Sequence, residues 1–197
     1  MRALELLLRF GIGWHPKTKL YWAFPTFKKV KGLGYYVHLQ KEVLESLQKG
    51  AYNATFRGVA TYRTDMLQHV EQLLFKQPLS EMQQCPSNIY HTVRPTSSKS
   101  KWEVDDSQKQ LAPMGYQCIL SFNQTDIRPF CELDHQIGDQ KNIPCYNMYK
   151  LCSTDAAAKL LSDVRILSNE PVAFALPKQP GTLNLAISLW RCRQFIS

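Results

Sequence analysis

The sequence predicts an α+β fold in which two N-terminal helices pack on an antiparallel sheet, with one C-terminal helix and a closing hairpin. Three observations lead to this fold class. Several short segments have the composition and alternation of strands, two N-terminal segments repeat apolar residues at helical spacing, and two apolar runs near the C-terminus flank a Lys-Gln-Pro-Gly turn. Strands and helices therefore occur in blocks, which is typical of α+β domains.

The N-terminal third contains one predicted strand and two predicted helices. Leu20, Trp22 and Phe24 alternate with smaller or polar residues within residues 19–27, and this pattern indicates a strand. In two later segments leucines and valines recur at a spacing that would place them on one face of a helix. These segments predict helices at residues 35–50 and 64–76.

The remaining two thirds of the chain consist mainly of predicted strands. Each candidate is a short run rich in apolar, aromatic or β-branched residues and bounded by polar or turn-forming residues. The predicted strands lie at residues 88–94, 115–123, 127–133 and 143–149, a helix follows at residues 155–164, and the closing hairpin occupies residues 171–190.

The expected organisation is one globular domain with an arm and a loop. Residues 1–18 are predicted to form a flexible basic and amphipathic arm, because glycines and a proline follow their short apolar run. Residues 19–197 form the globular domain. Within it, residues 95–110 are mainly polar, with Trp102 as their one large apolar group, and they predict a mobile surface loop.

The excess positive charge is concentrated at the N-terminus. The whole chain has a formal net charge of +8. Residues 1–64 contain eleven basic and three acidic residues, which already gives +8, and the rest of the chain is neutral. This distribution predicts an anionic partner for the N-terminal third.

The cysteine spacing indicates a reducing compartment, and the apolar runs are too short for a membrane span. The six cysteines are irregularly spaced, and no secretory signal precedes them, so we expect free thiols. No segment reaches the roughly 18 apolar residues of a membrane span. No cofactor or metal ion is expected, since the chain has no glycine-rich phosphate loop and no close pairs of cysteines.

Catalytic motifs are lacking, and one weak candidate remains. The segment "CELDHQ" places Cys131, Glu132, Asp134 and His135 within five residues, a grouping that could form a thiol–imidazole pair or part of a zinc site. Ordinary strand and turn residues explain the same grouping. We therefore expect a protein that is not an enzyme and keep a small cysteine/histidine enzyme as a third alternative.

Basic and aromatic residues are interleaved in "KLYWAFPTFKKVKGLG", residues 19–34. Three interpretations are open for this stretch: its aromatic residues belong to the core, they contact the headgroups of an anionic membrane, or they stack on bases of a nucleic acid. The candidate contact residues for a membrane or a nucleocapsid are Lys17, Lys19, Trp22, Lys28, Lys29 and Lys31.

Three stretches resemble the matrix proteins of rhabdoviruses, which are small basic proteins. "GYYVHLQKEVLESLQKGAYNATFRGVATYRTDMLQHV" is similar to the early region of that family. "NIYHTVR", a polar loop and "GYQCILSFNQTD" resemble its central strands around a mobile loop. "CYNMYKLCSTDAAAKLLSDVRIL" and the final hairpin resemble its C-terminal strand, helix and closing strands. The similarity covers residues 19–190 as a pattern with scattered identities.

The resemblance implies a structural protein that associates with itself, binds an anionic membrane peripherally and condenses the viral nucleocapsid. It implies that the protein is located at the inner face of the envelope in the virion, and in the cytoplasm, at the membrane surface and in the nucleus of the host cell. It makes residues 95–110 a self-association loop, with Lys99, Lys101 and Trp102 as its contact residues. The family's proline-rich budding motif is missing, which favours a divergent member. The alternative is a basic RNA-binding or silencing-suppressor protein.

Overall fold

The computed structural model describes residues 7–27, 30–96, 100–123, 129–151, 154–163 and 172–196. The chain divides into two compact units, whereas the sequence suggested one globular domain. The first unit comprises residues 1–74 and 190–197, and the second comprises residues 75–189.

The first unit contains a three-stranded antiparallel sheet with the order β2-β1-β3. Its strands are β1 (Leu7–His15), β2 (Leu20–Thr26) and β3 (Gly34–His38). The central strand β1 occupies half of the stretch, residues 1–18, that the sequence assigned to a flexible arm. Leu8 and Phe10 explain the difference, because both side chains are fully buried and hold β1 against the core.

Short helical turns and one long helix follow the sheet. They are α1 (Lys41–Ser46), a π-helical turn (Leu47–Ala51), α2 (Tyr52–Thr55) and α3 (Met66–Gln84). The helix predicted at residues 35–50 begins only at Lys41, because the residues before it pair with β1 as strand β3. Gly50 adopts a φ of 119° and interrupts the helical run there, a conformation that glycine tolerates.

An aromatic cluster forms the centre of the first unit. Phe10 packs edge-on against Phe56, with the two ring centroids 5.6 Å apart, and Tyr62 packs against both rings. Tyr52 stacks on Tyr62, and Tyr35 meets Phe56 edge-on. This cluster fixes one face of the sheet as the core face.

The second unit is a closed barrel of six strands with the order β4-β5-β7-β8-β6-β9. Two neighbouring pairs, β5 with β7 and β6 with β8, are parallel, and the other pairs are antiparallel. The strands are β4 (His91–Pro95), β5 (Lys101–Val104), β6 (Tyr116–Phe122), β7 (Cys131–Ile137), β8 (Gln140–Asn147) and β9 (Val172–Pro177).

Helical segments connect or follow the barrel strands. They are 3₁₀ turns at Ser87–Ile89 and Met148–Lys150, and the helices α4 (Asp106–Lys109), α5 (Thr154–Asp163) and α6 (Pro180–Ile196). The barrel interior is filled by buried apolar side chains, among them Ile119, Ile143 and Ala175. It is therefore a packed core.

The predicted arrangement of the fold is wrong, although the chain is α+β. In place of an antiparallel sheet covered by two N-terminal helices, the structure has a mixed closed barrel and a separate three-stranded sheet. The closing hairpin at residues 171–190 is also wrong, because only its first half is a strand and the second half belongs to α6. The buried residues of α6 recur every three or four positions, as in a helix. They are Thr182, Leu185, Ser188, Leu189, Cys192 and Phe195.

Candidate functional site

One face of the sheet in the first unit is buried at its centre and becomes exposed towards the β1–β2 turn, at Trp14 and Tyr21; the other face is open. Leu8, Phe10 and Val37 lie on the buried face. Residues that pair across an antiparallel ladder share a face, and the register pairs Gly13 with Trp22, Gly11 with Phe24, His15 with Leu20 and Arg9 with Tyr36. The open side, called the aromatic face below, therefore carries His15, Leu20, Trp22, Phe24 and Tyr36.

The aromatic face is apolar where an ordinary sheet would be polar. Leu20 is 49% exposed, Phe24 is 41% exposed and Tyr36 is 56% exposed, while Trp22 is half-buried. The solvent side of an antiparallel sheet normally carries polar residues. Exposed apolar side chains gathered on one sheet face favour an interaction site there.

Two glycines of β1 make room for the ring of Phe24. A β-carbon at Gly11 would lie 2.4 Å from Cζ of Phe24, and one at Gly13 would lie 3.3 Å from its Cε1. The tip and one edge of the ring therefore occupy the space that side chains at these two positions of β1 would need. Phe24 nevertheless remains 41% exposed.

Hydrogen bonds at the turn between β1 and β2 hold the indole of Trp22. Its Nε1 donates to Oγ1 of Thr18 at 2.9 Å. The backbone N–H of Thr18 donates to Nδ1 of His15 at 3.3 Å, so Nδ1 is an acceptor, and the Thr18 hydroxyl donates to the same atom at 2.9 Å. The rings of His15 and Trp22 meet edge-on, with their centroids 6.0 Å apart.

A cleft of about 480 Å³, called the edge cleft below, opens where β2 meets the segment before α3. The backbone of Thr61 pairs with β2 there, with Ala23 N donating to Thr61 O at 2.9 Å. The lining residues are His15, Trp22, Ala23, Phe24, Tyr62, Arg63, Thr64 and Asp65.

One exposed ion pair belongs to the edge cleft. Arg63 donates from Nε to Oδ1 of Asp65 at 2.8 Å and from Nη2 to Oδ2 at 2.6 Å. These hydrogen bonds lower the pKa of Asp65 and raise that of Arg63. Tyr62 is buried, its hydroxyl has no hydrogen-bond partner among the described residues, and burial raises its pKa.

Arg9 anchors the loop between β2 and β3 from the aromatic face. It is 7% exposed, and its guanidinium lies against Gly34, where a β-carbon would come within 2.5 Å of it. Nη2 donates to the carbonyl of Gly32 at 2.9 Å and to that of Leu33 at 3.3 Å. The anchored loop exposes Val30 and Leu33.

The predicted lysines lie at both ends of the aromatic face. Lys17 and Lys19 belong to the turn before β2, Lys31 belongs to the loop after it, and all three are exposed. Lys28 and Lys29 lie outside the described residues. The described lysines therefore lie in the turn and the loop that flank β2, the strand that carries Trp22, and their role as contact residues stays a prediction. Tyr36 and His15, which the prediction did not include, lie on the same sheet face as Trp22.

The predicted self-association loop contains regular structure. Residues 101–104 form β5, and Asp106–Lys109 form α4. Lys101 is exposed, whereas Trp102 is 5% exposed and belongs to the barrel core, so it is not an apolar tip. Lys99 lies outside the described residues. The alternation of Trp102 and Val104, both buried, was the signal for a strand.

The cluster around His135 is a hydrogen-bonded part of the barrel wall. Trp102 Nε1 donates to Nδ1 of His135 at 2.8 Å, and Nε2 lies 3.0 Å from Oε2 of Glu132. Because an indole only donates, Nδ1 carries no proton, and Nε2–H donates to the carboxylate. Glu132, Asp134 and His135 have their donor atoms within 4.8 Å, but both ring nitrogens of His135 are occupied. The Cys131 thiol donates instead to the Glu132 carbonyl at 3.8 Å.

A second, smaller cleft lies in the first unit. This cleft, of about 260 Å³, lies at the turn end of the β1–β2 hairpin, and its lining includes Leu20 and the exposed ring pair of Trp14 and Tyr21. In the part of the chain that the structure describes, no helix is long and apolar enough to cross a membrane. No protein-family model, curated protein or solved structure matches the chain.

Proposed function

We propose that this chain is a structural protein of the matrix type that adheres peripherally to anionic membranes through the aromatic face. One observation carries the proposal: exposed Leu20, Phe24 and Tyr36 share one open sheet face that has lysine-bearing loops at both ends. β2 has seven residues, so the two loops are roughly 20 Å apart. A flat membrane surface can contact both loops and the face between them.

The chemistry of the face suits the headgroup region of a bilayer. Tyrosine and tryptophan favour this level of the membrane, where one side of the ring is apolar and the other is hydrated. Each lysine near an anionic leaflet contributes about 1 kcal/mol, so Lys17, Lys19 and Lys31 together contribute about 3 kcal/mol. No aspartate or glutamate occurs between Glu5 and Glu42 in the sequence, and Asp65 at the edge of the face is paired with Arg63. The adhesion is reversible and weakens with salt.

The resemblance to rhabdovirus matrix proteins supplies the rest of the proposed role. It supports self-association and condensation of a nucleocapsid beneath the membrane, at the inner face of a virion envelope. Support comes from the basic N-terminal third and from the stretch at residues 34–70. The C-terminal part of the resemblance gives no support, because the expected hairpin is β9 followed by α6.

RNA binding is the second candidate function. Trp22, Phe24 and Tyr36 present rings on one open sheet, and such a surface can stack the bases of single-stranded RNA while nearby lysines contact phosphates. The two functions differ in what the lysines bind. Membrane adhesion depends on lipid charge, and RNA would compete with it.

Flotation with liposomes tests the proposal on the full chain. Vesicles of phosphatidylserine with phosphatidylethanolamine are compared with neutral vesicles, at low and high salt, with and without single-stranded RNA. We expect the protein to float with the anionic vesicles only, and less so at high salt. Binding to RNA without flotation would replace the membrane function by the RNA function. Binding to neither ligand would contradict both.

Variants with matched controls locate the contact surface. Leu20→Ser combined with Tyr36→Ser should abolish flotation, whereas Leu111→Ser, at a still more exposed leucine of the second unit, should not. Lys17→Glu combined with Lys19→Glu should shift flotation to lower salt, whereas exposed Lys141→Glu should have little effect. Equal losses for the test and control variants would mean that the aromatic face is not the contact surface.

A further inference from the structure

We propose that the edge cleft binds a quaternary ammonium group, with the phosphocholine headgroup of a lipid as its ligand. This inference rests on the proposed membrane function and adds a lipid specificity to it. The cleft belongs entirely to the first unit and lies at the edge of the aromatic face. Its volume of about 480 Å³ is in the range of small-ligand sites, roughly 300–1,000 Å³.

Two aromatic residues that can attract a cation, Trp22 and Phe24, line the cleft. Trp22 and Phe24 are two residues apart on β2 and therefore project from the same side of the strand. A cation within about 6 Å of an aromatic ring is attracted by the negative ring face, and tryptophan gives the strongest attraction. A methylated ammonium donates no hydrogen bond, so ring faces satisfy it, whereas a primary ammonium needs several acceptors.

Both rings are fixed before any ligand arrives. The ring of Phe24 lies on the backbone of Gly11 and Gly13, where side chains would displace it. The indole of Trp22 is held by its hydrogen bond to Thr18 and by the edge of the His15 ring. Little ordering of side chains is therefore required on binding, and this preorganisation favours affinity.

The charges at the cleft match a zwitterion. Asp65 can face an ammonium, and Arg63 beside it can face a phosphate. The two residues are now paired with each other at 2.6 Å, with side chains 41% and 52% exposed. Exposed pairs of this kind contribute little to stability, so a ligand that carries both charges can replace the pair at small cost.

A polyanion fits the same cleft less well. Arg63 is the only Lys or Arg among the lining residues, and the Asp65 carboxylate that binds it repels phosphate. A nucleic acid would leave that carboxylate unpaired. Phosphocholine brings its own positive charge to Asp65, which is why the cleft favours a choline lipid.

Calorimetric titration of the full chain with soluble phosphocholine tests the inference. We expect saturable binding, and weaker binding of 3,3-dimethylbutan-1-ol, which has the shape of choline without the charge. Trp22→Leu and Phe24→Leu should each weaken binding by about two- to fivefold, the range of exposed cation–π contacts. Asp65→Asn, at an exposed position, should weaken it without loss of the fold.

Trp14→Leu is the matched control, since Trp14 is exposed and pairs with Tyr21 away from the cleft. It should leave phosphocholine affinity unchanged, and urea unfolding of each variant verifies that it folds. Equal affinity for the uncharged analogue, or an equal loss in Trp14→Leu, would overturn the inference. No binding of phosphocholine would also overturn it.

The outcome is separable from that of the proposed function. Flotation on vesicles of phosphatidylserine and phosphatidylethanolamine, which contain no choline, tests adhesion alone. Adhesion without phosphocholine binding would leave the membrane function and remove the headgroup site. Phosphocholine binding without adhesion would remove the membrane function, and with it the assignment of a lipid as the ligand.

Discussion

The thiol of Cys192 lies 3.3 Å from the carbonyl oxygen of Leu74 and donates a hydrogen bond to it in the core of the first unit. Four residues after Leu74, helix α3 contains Pro78, which has no N–H to donate to that carbonyl. Burial raises the pKa of Cys192 to about 12, so the thiol keeps its proton at neutral pH. A cysteine of α6 thus supplies the donor that the proline removes from α3.

A double-mutant cycle measures this compensation. Cys192→Ala alone should destabilise the protein, because it leaves a cavity and the carbonyl of Leu74 without its donor. In the Pro78→Ala background, where residue 78 can again donate to that carbonyl, the same substitution should cost about 0.5–1.5 kcal/mol less. Urea unfolding measures all four free energies. Cys118→Ala, at another buried cysteine, should cost the same in both backgrounds, and additivity for Cys192 would contradict the compensation.

The stability of the protein should fall in weak acid because His91 is buried. His91 is 2% exposed, its Nδ1 lies 3.2 Å from the Tyr116 hydroxyl, and burial lowers its pKa from the ordinary value of 6.5. Below pH 6.5 the unfolded chain binds a proton that the folded protein does not, so the free energy of unfolding decreases as pH falls towards the folded pKa. Well above pH 6.5 the histidine is neutral in both states and this contribution is complete.

Urea unfolding between pH 7.5 and pH 5 checks the pH dependence. His91→Gln should show a shallower decline than the unmodified protein, whatever its absolute stability. His38→Gln, at an exposed histidine of β3, should retain the full slope. The same slope in the His91 variant would assign the acid sensitivity to other groups.

Trp102 should stabilise the barrel partly through its hydrogen bond to His135. Trp102→Phe keeps most of the buried ring but leaves Nδ1 of His135 without its donor, which should cost about 1–3 kcal/mol. It should also change the ¹⁵N chemical shifts of the His135 ring, because the indole N–H that donates to Nδ1 and so selects the tautomer is removed. Trp14→Phe, at an exposed tryptophan, should leave both readouts unchanged. Unchanged stability in Trp102→Phe would show that ring packing alone matters there.

Local strand patterns could be predicted from the sequence. The alternation of Leu20, Trp22 and Phe24 corresponds to β2, and the strand predicted at residues 88–94 overlaps β4. The sequence also placed lysines beside these aromatic residues. It could not show which face of β2 is open or what lies at its edge. The aromatic cluster packs on one face of the sheet, and Thr61 pairs with the edge of β2; both contacts come from residues distant in the sequence.

Contacts between residues distant in the sequence explain most errors of the predicted fold. Gly11 and Gly13 suggested a broken arm, whereas β1 uses them to accept the ring of Phe24, a contact that no local pattern contains. The parallel pairing of β5 with β7 closes the barrel through residues more than thirty positions apart, such as Trp102 and Ile137. The error at α6 was avoidable, because its buried residues follow helical spacing.

Gly11→Ala should separate the geometry of the edge cleft from the stability of the fold. The added β-carbon would lie 2.4 Å from Cζ of Phe24, so the ring must leave its position over β1. Because Phe24 is partly exposed, we expect the free energy of unfolding to change by less than about 1.5 kcal/mol, whereas phosphocholine affinity should fall as far as in Phe24→Leu. At Gly13 the corresponding distance is 3.3 Å, so Gly13→Ala needs a shift of only a few tenths of an ångström and should have a smaller effect. Calorimetry and urea unfolding of both variants check that Gly11→Ala has the larger effect. Undiminished phosphocholine affinity in Gly11→Ala would mean that the ring of Phe24 does not contribute to the edge cleft as a binding site.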